Sequence, residues 1–304
     1  MFDIVSVGHF SMDSIFLPDR LKPFVVLGGS AAYVSFAAGR LDARVTVVSK
    51  VGSDFPAAYM WWLRQEGADL SGVIKVENAR TTRFELKYDS DLSNRTLRLM
   101  DKAPPITVDD LPSSLKAKVI HIAPIAGEIT YEVVERLKDC TDVLTLDPQG
   151  LVRVFDENGN VTLGQLTDKR MLELVSIYKS SQSEIEVVTN QSDLNSAIKA
   201  IHDYGVETVI VTLGMKGSVL SVEGNIYNIP ACKPEKVVDP TGAGDAFIGG
   251  FLAEYANGEN HLRCVCVGSA VASYVVEAPG PTFFGEKEQI YQRARLLYEK
   301  EIKV

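Results

Sequence analysis

Short β-branched runs alternate with stretches of helical period along most of this chain, and that alternation limits its fold more than any other feature. The runs are Ile4 to Val7, Val45 to Val48, Val119 to Ile122, Val143 to Leu146, Val187 to Val188 and Val209 to Leu213. Between them lie helical patterns over Ala31 to Leu41, Tyr131 to Leu137 and Leu194 to His202. Strands alternating with helices predict βαβ units and a mostly parallel sheet flanked by helices. Ligands of such a sheet sit at the carboxyl ends of its strands.

Two segments break the rhythm. Residues 14–27 have no helical period. Residues 81–100 alternate through Phe84, Leu86 and Tyr88, cross a polar turn and resume at Thr96 to Met100, which reads as a hairpin. Inserted early in an α/β chain, they suggest a small β lid over the sheet's edge; the plainer alternative is a surface hairpin without a role. Asp156 to Asn160 is a turn signal. The tail from Gly285 to Val304 reads as a charged, solvated helix.

Composition removes several classes. With 304 residues, 46% hydrophobic and 23% charged, the chain can bury a large core and is not disordered. A net charge of −9 argues against a nucleic-acid partner. No apolar run reaches the length of a membrane span, and the N-terminus reads as a first strand, not as a signal peptide. Cys140, Cys232, Cys264 and Cys266 are too few and scattered for a disulfide scaffold, so a reducing, cytoplasmic setting is expected.

Chemistry concentrates in Val237-Val-Asp-Pro-Thr-Gly-Ala-Gly-Asp-Ala-Phe-Ile-Gly-Gly-Phe251, where an extended run meets Gly242-Ala243-Gly244 and an apolar helix begins near Asp245. Small residues let the backbone turn tightly and present consecutive N–H groups. The helix start adds unpaired donors and a partial positive charge, which suits a phosphoryl group. Asp245 reads either as a helix cap or as the base that takes a proton from an attacking hydroxyl. A weak base suffices, because phosphoryl transfer has a loose transition state. There is no Walker-type loop, no Ser/His/Asp triad, and no G-x-G-x-x-G after the first strand.

With this segment and Leu27-Gly-Gly-Ser-Ala-Ala-Tyr33 followed by Val51-Gly-Ser-Asp-Phe55, the chain resembles the ribokinase-like (PfkB) carbohydrate kinases over nearly its whole length. The resemblance implies a Rossmann-like α/β domain with a small β lid, in one unit over residues 1–304. It implies ATP-dependent phosphorylation of a hydroxyl on a sugar, polyol or nucleoside, with Mg²⁺ carried by the nucleotide. Asp245 would then be the base, and the amides of Gly242, Ala243 and Gly244 the anion hole. Asp13 would hold substrate hydroxyls, and Gly28 and Gly29 would form a lid hinge close to substrate. Thr212, Gly214 and Gly217 would border the nucleotide together with Gly242 and Gly244. A monovalent cation such as K⁺ near Asp239 and residues 278–280 belongs to the same expectation, as does a homodimer through the lid edge.

The chain departs from the family pattern at two places. Tyr33 stands where many members carry Asn, which weakens a ribose-type reading. In the family's N-x-x-E motif, linked to Mg²⁺ and phosphate, Ser181 replaces Asn while Glu184 is kept and would reach the metal through water. Short motifs at 28–33, 123–128, 147–153 and 179–184 are more similar to the myo-inositol kinase branch. In this reading Tyr33 lies near substrate, Gln149 hydrogen-bonds a polyol and Arg153 pairs with a phosphate oxygen. A cyclic polyol is therefore the favoured acceptor. The alternatives are another sugar, a nucleoside, or a sugar-binding regulator that has lost catalysis.

Overall fold

The computed structural model describes residues 1–92 and 94–299. Its frame is a nine-stranded sheet. In spatial order the strands are β15 (Asn225–Ile229), β14 (Ser218–Val222), β13 (Thr208–Thr212), β12 (Ile177–Ser181), β9 (Val143–Leu146), β8 (Ala117–Ile122), β1 (Phe2–Val7), β4 (Val45–Gly52) and β5 (Asp69–Val76). All pairings are parallel except β13 with β14 and β14 with β15.

Alternating side chains on these strands feed two cores. Ile4, Val119 and Ile210 face one layer, formed by α1 (Ser30–Gly39), α2 (Ala57–Gln65), α6 (Ala243–Ala256), α7 (His261–Val275) and α8 (Lys287–Leu297). Val5, Ile120 and Val209 face the opposite layer, formed by α3 (Tyr131–Lys138), α4 (Gln182–Thr189) and α5 (Leu194–His202). A parallel sheet covered on both faces needs continuous apolar strands, and β1, β8 and β9 are of that kind.

The small residues of α7 serve helix packing. A Cβ on Gly268 would lie 2.5 Å from the Phe247 carbonyl of α6, so only glycine lets these backbones approach so closely. The expected strand at Val187–Val188 is instead part of α4. Its cause is a capping box: Ser181 accepts from the Glu184 N–H, while the Glu184 carboxylate takes the Ser181 N–H. The strand lies earlier, over Ile177–Ser181, where Lys179 and two serines hide it from a hydropathy reading. The tail is helical over Lys287–Leu297, and its last five residues lie outside the described ones.

A second sheet of four strands has the order β3 (Phe24–Gly28), β2 (Ser11–Phe16), β6 (Thr82–Tyr88), β7 (Arg95–Asp101). Phe84, Leu86 and Ile15 on its inner face join Ile125 and Ala126 in a separate small core. The turn at 156–160 joins β10 (Arg153–Phe155) to β11 (Val161–Leu163), and this hairpin leans on β7. Leu99 N–H donates to the Gly159 carbonyl at 2.8 Å, and Arg98 Nε donates to the Asn158 carbonyl at 2.7 Å. Among the described residues no helix is long and apolar enough to cross a membrane.

Candidate active site

The carboxyl ends of β1, β8, β9 and β12 meet the start of α6 under the second sheet. There the protein encloses about 40 Å³, lined by Asp13, Gly29, Ser30, Tyr33, Phe84, Gln149, Arg153, Thr241 and Asp245 among others. Substrate pockets run to roughly 300–1,000 Å³, so this one holds a few waters and no sugar. Leu86, Leu97 and Ile125 complete its apolar side. A larger hollow of about 360 Å³ lies on the other face of β6, between Glu85, Lys87, Arg98 and Asn158. Strand alternation puts it away from the catalytic groups.

Gly242 caps α6 with φ of 76°, and a Cβ there would lie 2.1 Å from the Tyr33 ring. Both facts require glycine. The helix starts at Ala243, two residues before the sequence suggests, so Asp245 lies inside its first turn and is not its cap. Asp245 Oδ1 accepts from Ser30 Oγ at 2.6 Å and from Gln149 Nε2 at 2.9 Å. Two donors on one oxygen orient the carboxylate and leave Oδ2 for an incoming hydroxyl. Of the three expected anion-hole amides, that of Ala243 turns back to the Pro240 carbonyl at 3.3 Å, so a phosphoryl oxygen would have to share it.

Asp13 enters from β2 and is buried. Its Oδ1 takes no hydrogen bond, and burial pushes its carboxyl up to about 6 against the pull of Ser11, Arg95 and Arg153. Gly28 lies beneath this carboxylate: a Cβ on it would come within 2.0 Å of Oδ2. Gly29, with φ of 90°, joins β3 to α1 against the His9 carbonyl. The Tyr33 hydroxyl is buried without a partner, and burial together with Asp239, Asp13 and Asp245 pushes it far above its ordinary range. The cavity therefore presents an unsatisfied acceptor on Asp13 and unsatisfied hydroxyls on Tyr33 and Ser11, each of which favours a polar guest.

Gln149 and Arg153 line the cavity, but their first partners are protein atoms. Arg153 donates to Gln149 Oε1 at 2.8 Å and to the Ile125 carbonyl at 2.7 Å. Arg153 thus holds the amide that holds Asp245. From the second sheet, the Tyr88 hydroxyl meets Thr241 Oγ1 at 2.8 Å and receives Arg95 Nη1 at 2.9 Å.

The nucleotide expectations fare unevenly. Gly214 has φ of 60° and open space around it. Gly217 is fixed by the protein itself, since a Cβ there would lie 2.0 Å from the Ile229 carbonyl. Thr212 Oγ1 donates to the Ser180 carbonyl at 3.3 Å. Glu184 spends Oε2 on Ser181, as the helix cap requires, and keeps Oε1. No group of three metal-ligating side chains exists among the described residues. With Oε1 left over, Glu184 fits the expected role of a carboxylate that would hold the water shell of a nucleotide-borne Mg²⁺. Asp239 is buried and ties two loops, taking the Thr241 N–H at 2.9 Å and the Gly280 N–H at 2.8 Å.

Two features escaped the sequence reading. Glu128 is fully buried and takes the N–H groups of His9, Ile125 and Ala126 at 2.7–3.1 Å, which shapes the loop under Arg153. Lys179 and Asp147 form a buried ion pair at 2.5 Å. Both acidic residues and the lysine stand in motifs already singled out, but spacing alone does not show which residues touch.

The Asp245 carboxylate thus stands in the first turn of a helix whose glycine-rich start suits an anion such as a phosphoryl group. Residues 1–288 match the pfkB family of carbohydrate kinases, and the chain belongs to that family. It is a ribokinase-like kinase of a sugar, nucleoside or inositol. It is 32% identical to a cytidine kinase of Thermococcus kodakarensis over 92% of this chain and 98% of that protein. It is 30% identical to an inositol 3-kinase of Oryza sativa over 98% of this chain and 73% of that protein. The nucleoside kinase of Methanocaldococcus jannaschii superposes with a TM-score of 0.80 at 25% identity, covering 97% of this chain and 99% of that one. A pyrophosphate-dependent ribokinase-family kinase complexed with a pyrophosphate analog and myo-inositol shares the fold, with a TM-score of 0.81 at 23% identity over 95% and 99% of the two chains.

Proposed function

We propose that the enzyme transfers the γ-phosphoryl group of ATP to a hydroxyl of a ribonucleoside, with Asp245 as base. The single observation carrying this is the shared cavity of Asp245, with its unoccupied Oδ2, and Asp13, with its unsatisfied Oδ1. The acceptor hydroxyl gives its proton to Asp245 Oδ2 while its oxygen bonds the γ-phosphorus. The bond from that phosphorus to the bridging oxygen of ADP breaks. The amides of Gly242 and Gly244, at the positive end of α6, stabilise the charge. When bound with the nucleotide, Mg²⁺ would be held through water by Glu184 and would neutralise charge on the donor phosphates; a K⁺ beside Asp239 would belong to the same reading.

Asp13 accepts from a vicinal diol, which both a ribose and a cyclitol carry. The apolar side of the cavity, with Phe84, Leu86, Leu97 and Ile125, suits the face of a base. The kinship to a cytidine kinase over 92% of the chain supports the same acceptor. A cyclic polyol such as myo-inositol is the second reading, supported by the donor–acceptor pair of Tyr33 and Asp13 and by the kinship to inositol 3-kinase.

The second sheet acts as a lid in this mechanism. It opens about Gly28 and Gly29 to admit the acceptor, then closes to exclude water. Edge strand β3 has no neighbour on its outer side among the described residues, and pairing of two such edges gives a homodimer that light scattering tests. The deciding experiment is initial phosphorylation rates on cytidine, other nucleosides, myo-inositol, ribose and fructose. Cytidine or another nucleoside is expected to lead in kcat/KM by at least tenfold. A lead for myo-inositol transfers the assignment to the second reading. Tight binding without turnover of any acceptor supports the regulator and ends the kinase reading of this site.

A further inference from the structure

Lys179 is the buried cation that this mechanism leaves unused. It projects from β12 with 5% exposure and is tied to Asp147 Oδ2 at 2.5 Å. Asp147 Oδ1 in turn takes the Gln149 N–H at 3.2 Å, so the pair is fixed to the residue that orients Asp245. The ammonium lies directly under the phosphoryl loop: a Cβ on Gly244 would come within 2.9 Å of Nζ. Only glycine at 244 leaves the gap between that charge and the loop backbone. A buried ion pair is weak evidence for stability, because desolvation offsets most of its attraction. Its place beneath the loop therefore asks for another reason. Burial alone would lower the lysine's pKa, but Asp147, Asp245 and Glu184 outweigh it and raise it, so the group stays an ammonium.

We infer that Lys179 is a further catalytic residue, whose ammonium reaches past Gly244 to an oxygen of the γ-phosphoryl group. It keeps its proton throughout, offers N–H bonds to that oxygen and supplements the two free amides of the loop. Asp147 is a positioning residue that holds the ammonium in reach. The inference rests on the phosphoryl-transfer reading of the Gly242–Gly244 loop. Its test uses donor affinities, which need no acceptor, so a wrong acceptor assignment leaves it intact.

The test variant combines Lys179→Met with Asp147→Asn, which removes the charge without leaving Asp147 buried and alone. Dissociation constants for Mg·ATP and Mg·ADP are measured by calorimetry, beside the melting temperature and kcat. The expected result is ATP affinity weakened at least tenfold, ADP affinity within twofold of the parent, and kcat down at least a hundredfold. Gly244→Ala gives an independent reading, since the new methyl displaces Nζ from the loop. It is expected to weaken ATP selectively in the same way, and it serves alone if the double variant does not fold. Equal losses for ATP and ADP, or unchanged ATP affinity, overturn the proposal and leave the pair a purely structural role. A parent that binds ATP no better than ADP overturns it as well.

Discussion

The floor and the roof of the catalytic cavity each supply one carboxylate, and the two are treated differently. Asp245, from the floor, carries two side-chain donors on one oxygen. Asp13, from the roof, is buried with one oxygen unsatisfied and its carboxyl pushed up to about 6. The floor is built from strand ends and a helix start, which are rigid and pre-satisfied. The roof is a four-stranded sheet that packs only its inner face. A fixed group suits proton transfer, where geometry decides the rate. An unsatisfied group suits recognition, since the guest supplies the missing partner.

Breaking the floor has the largest effect. Asp245→Asn keeps the shape and removes the base, so kcat falls by about a thousandfold, within the range of general-base losses, while acceptor affinity stays within a few-fold. Initial-rate measurements with the best acceptor check this, and a variant as fast as the parent removes Asp245 from the mechanism.

The roof answers to pH. Asp13 has a folded value of about 6 against an ordinary 3.8, so the folded state binds its proton more tightly. Its contribution to stability is full below 3.8 and is lost as pH rises through 6. The difference amounts to about 3 kcal/mol by linkage. Urea midpoints measured from pH 4 to 8 are expected to show this fall in the parent and not in Asp13→Asn. Acceptor KM follows the opposite sense and improves above pH 6, where the carboxylate accepts from hydroxyls. A KM flat from pH 5 to 8 separates Asp13 from recognition.

Two smaller substitutions sharpen the contrast. Gly242→Ala places a methyl 2.1 Å from the Tyr33 ring at a positive φ, and by overpacking and strain costs about 2–3 kcal/mol in thermal unfolding. Tyr88→Phe removes the bond to Thr241 that joins roof to floor. One hydrogen bond contributes about 1 kcal/mol, so melting shifts by only a few degrees. ATP hydrolysis without acceptor is expected to rise several-fold, because the closed roof excludes water less well. Unchanged hydrolysis argues against a roof that gates water.

The floor was legible in the sequence because its chemistry is local. Gly242, Gly244 and Asp245 lie within four consecutive residues, and a turn followed by an apolar helix has a one-dimensional signature. The strands of the roof were legible from the alternation of Phe84, Leu86 and Tyr88. What joins distant segments was not. Gln149 is 96 positions from Asp245 and Ser30 is 215. Lys179 reads as a break in an apolar run, although it is the reason β12 carries a charge inside the core. The pair Val187–Val188 misled because two valines say nothing of period, whereas the capping box three residues earlier decides for a helix. Glu184 shows the same competition, since one of its two oxygens is spent on its own helix start and only Oε1 is left for a ligand.

The hairpin of β10 and β11 is anchored at both ends, and this has a mechanical consequence. Its tip grips β7 through Gly159 and Asn158, while its root is Arg153, which holds Gln149 and through it Asp245. If the roof lifts as the proposed lid, it tugs on the chain of contacts that steadies Asp245. On that reading closure does two things at once: it shuts out water and draws taut the linkage behind the proposed base.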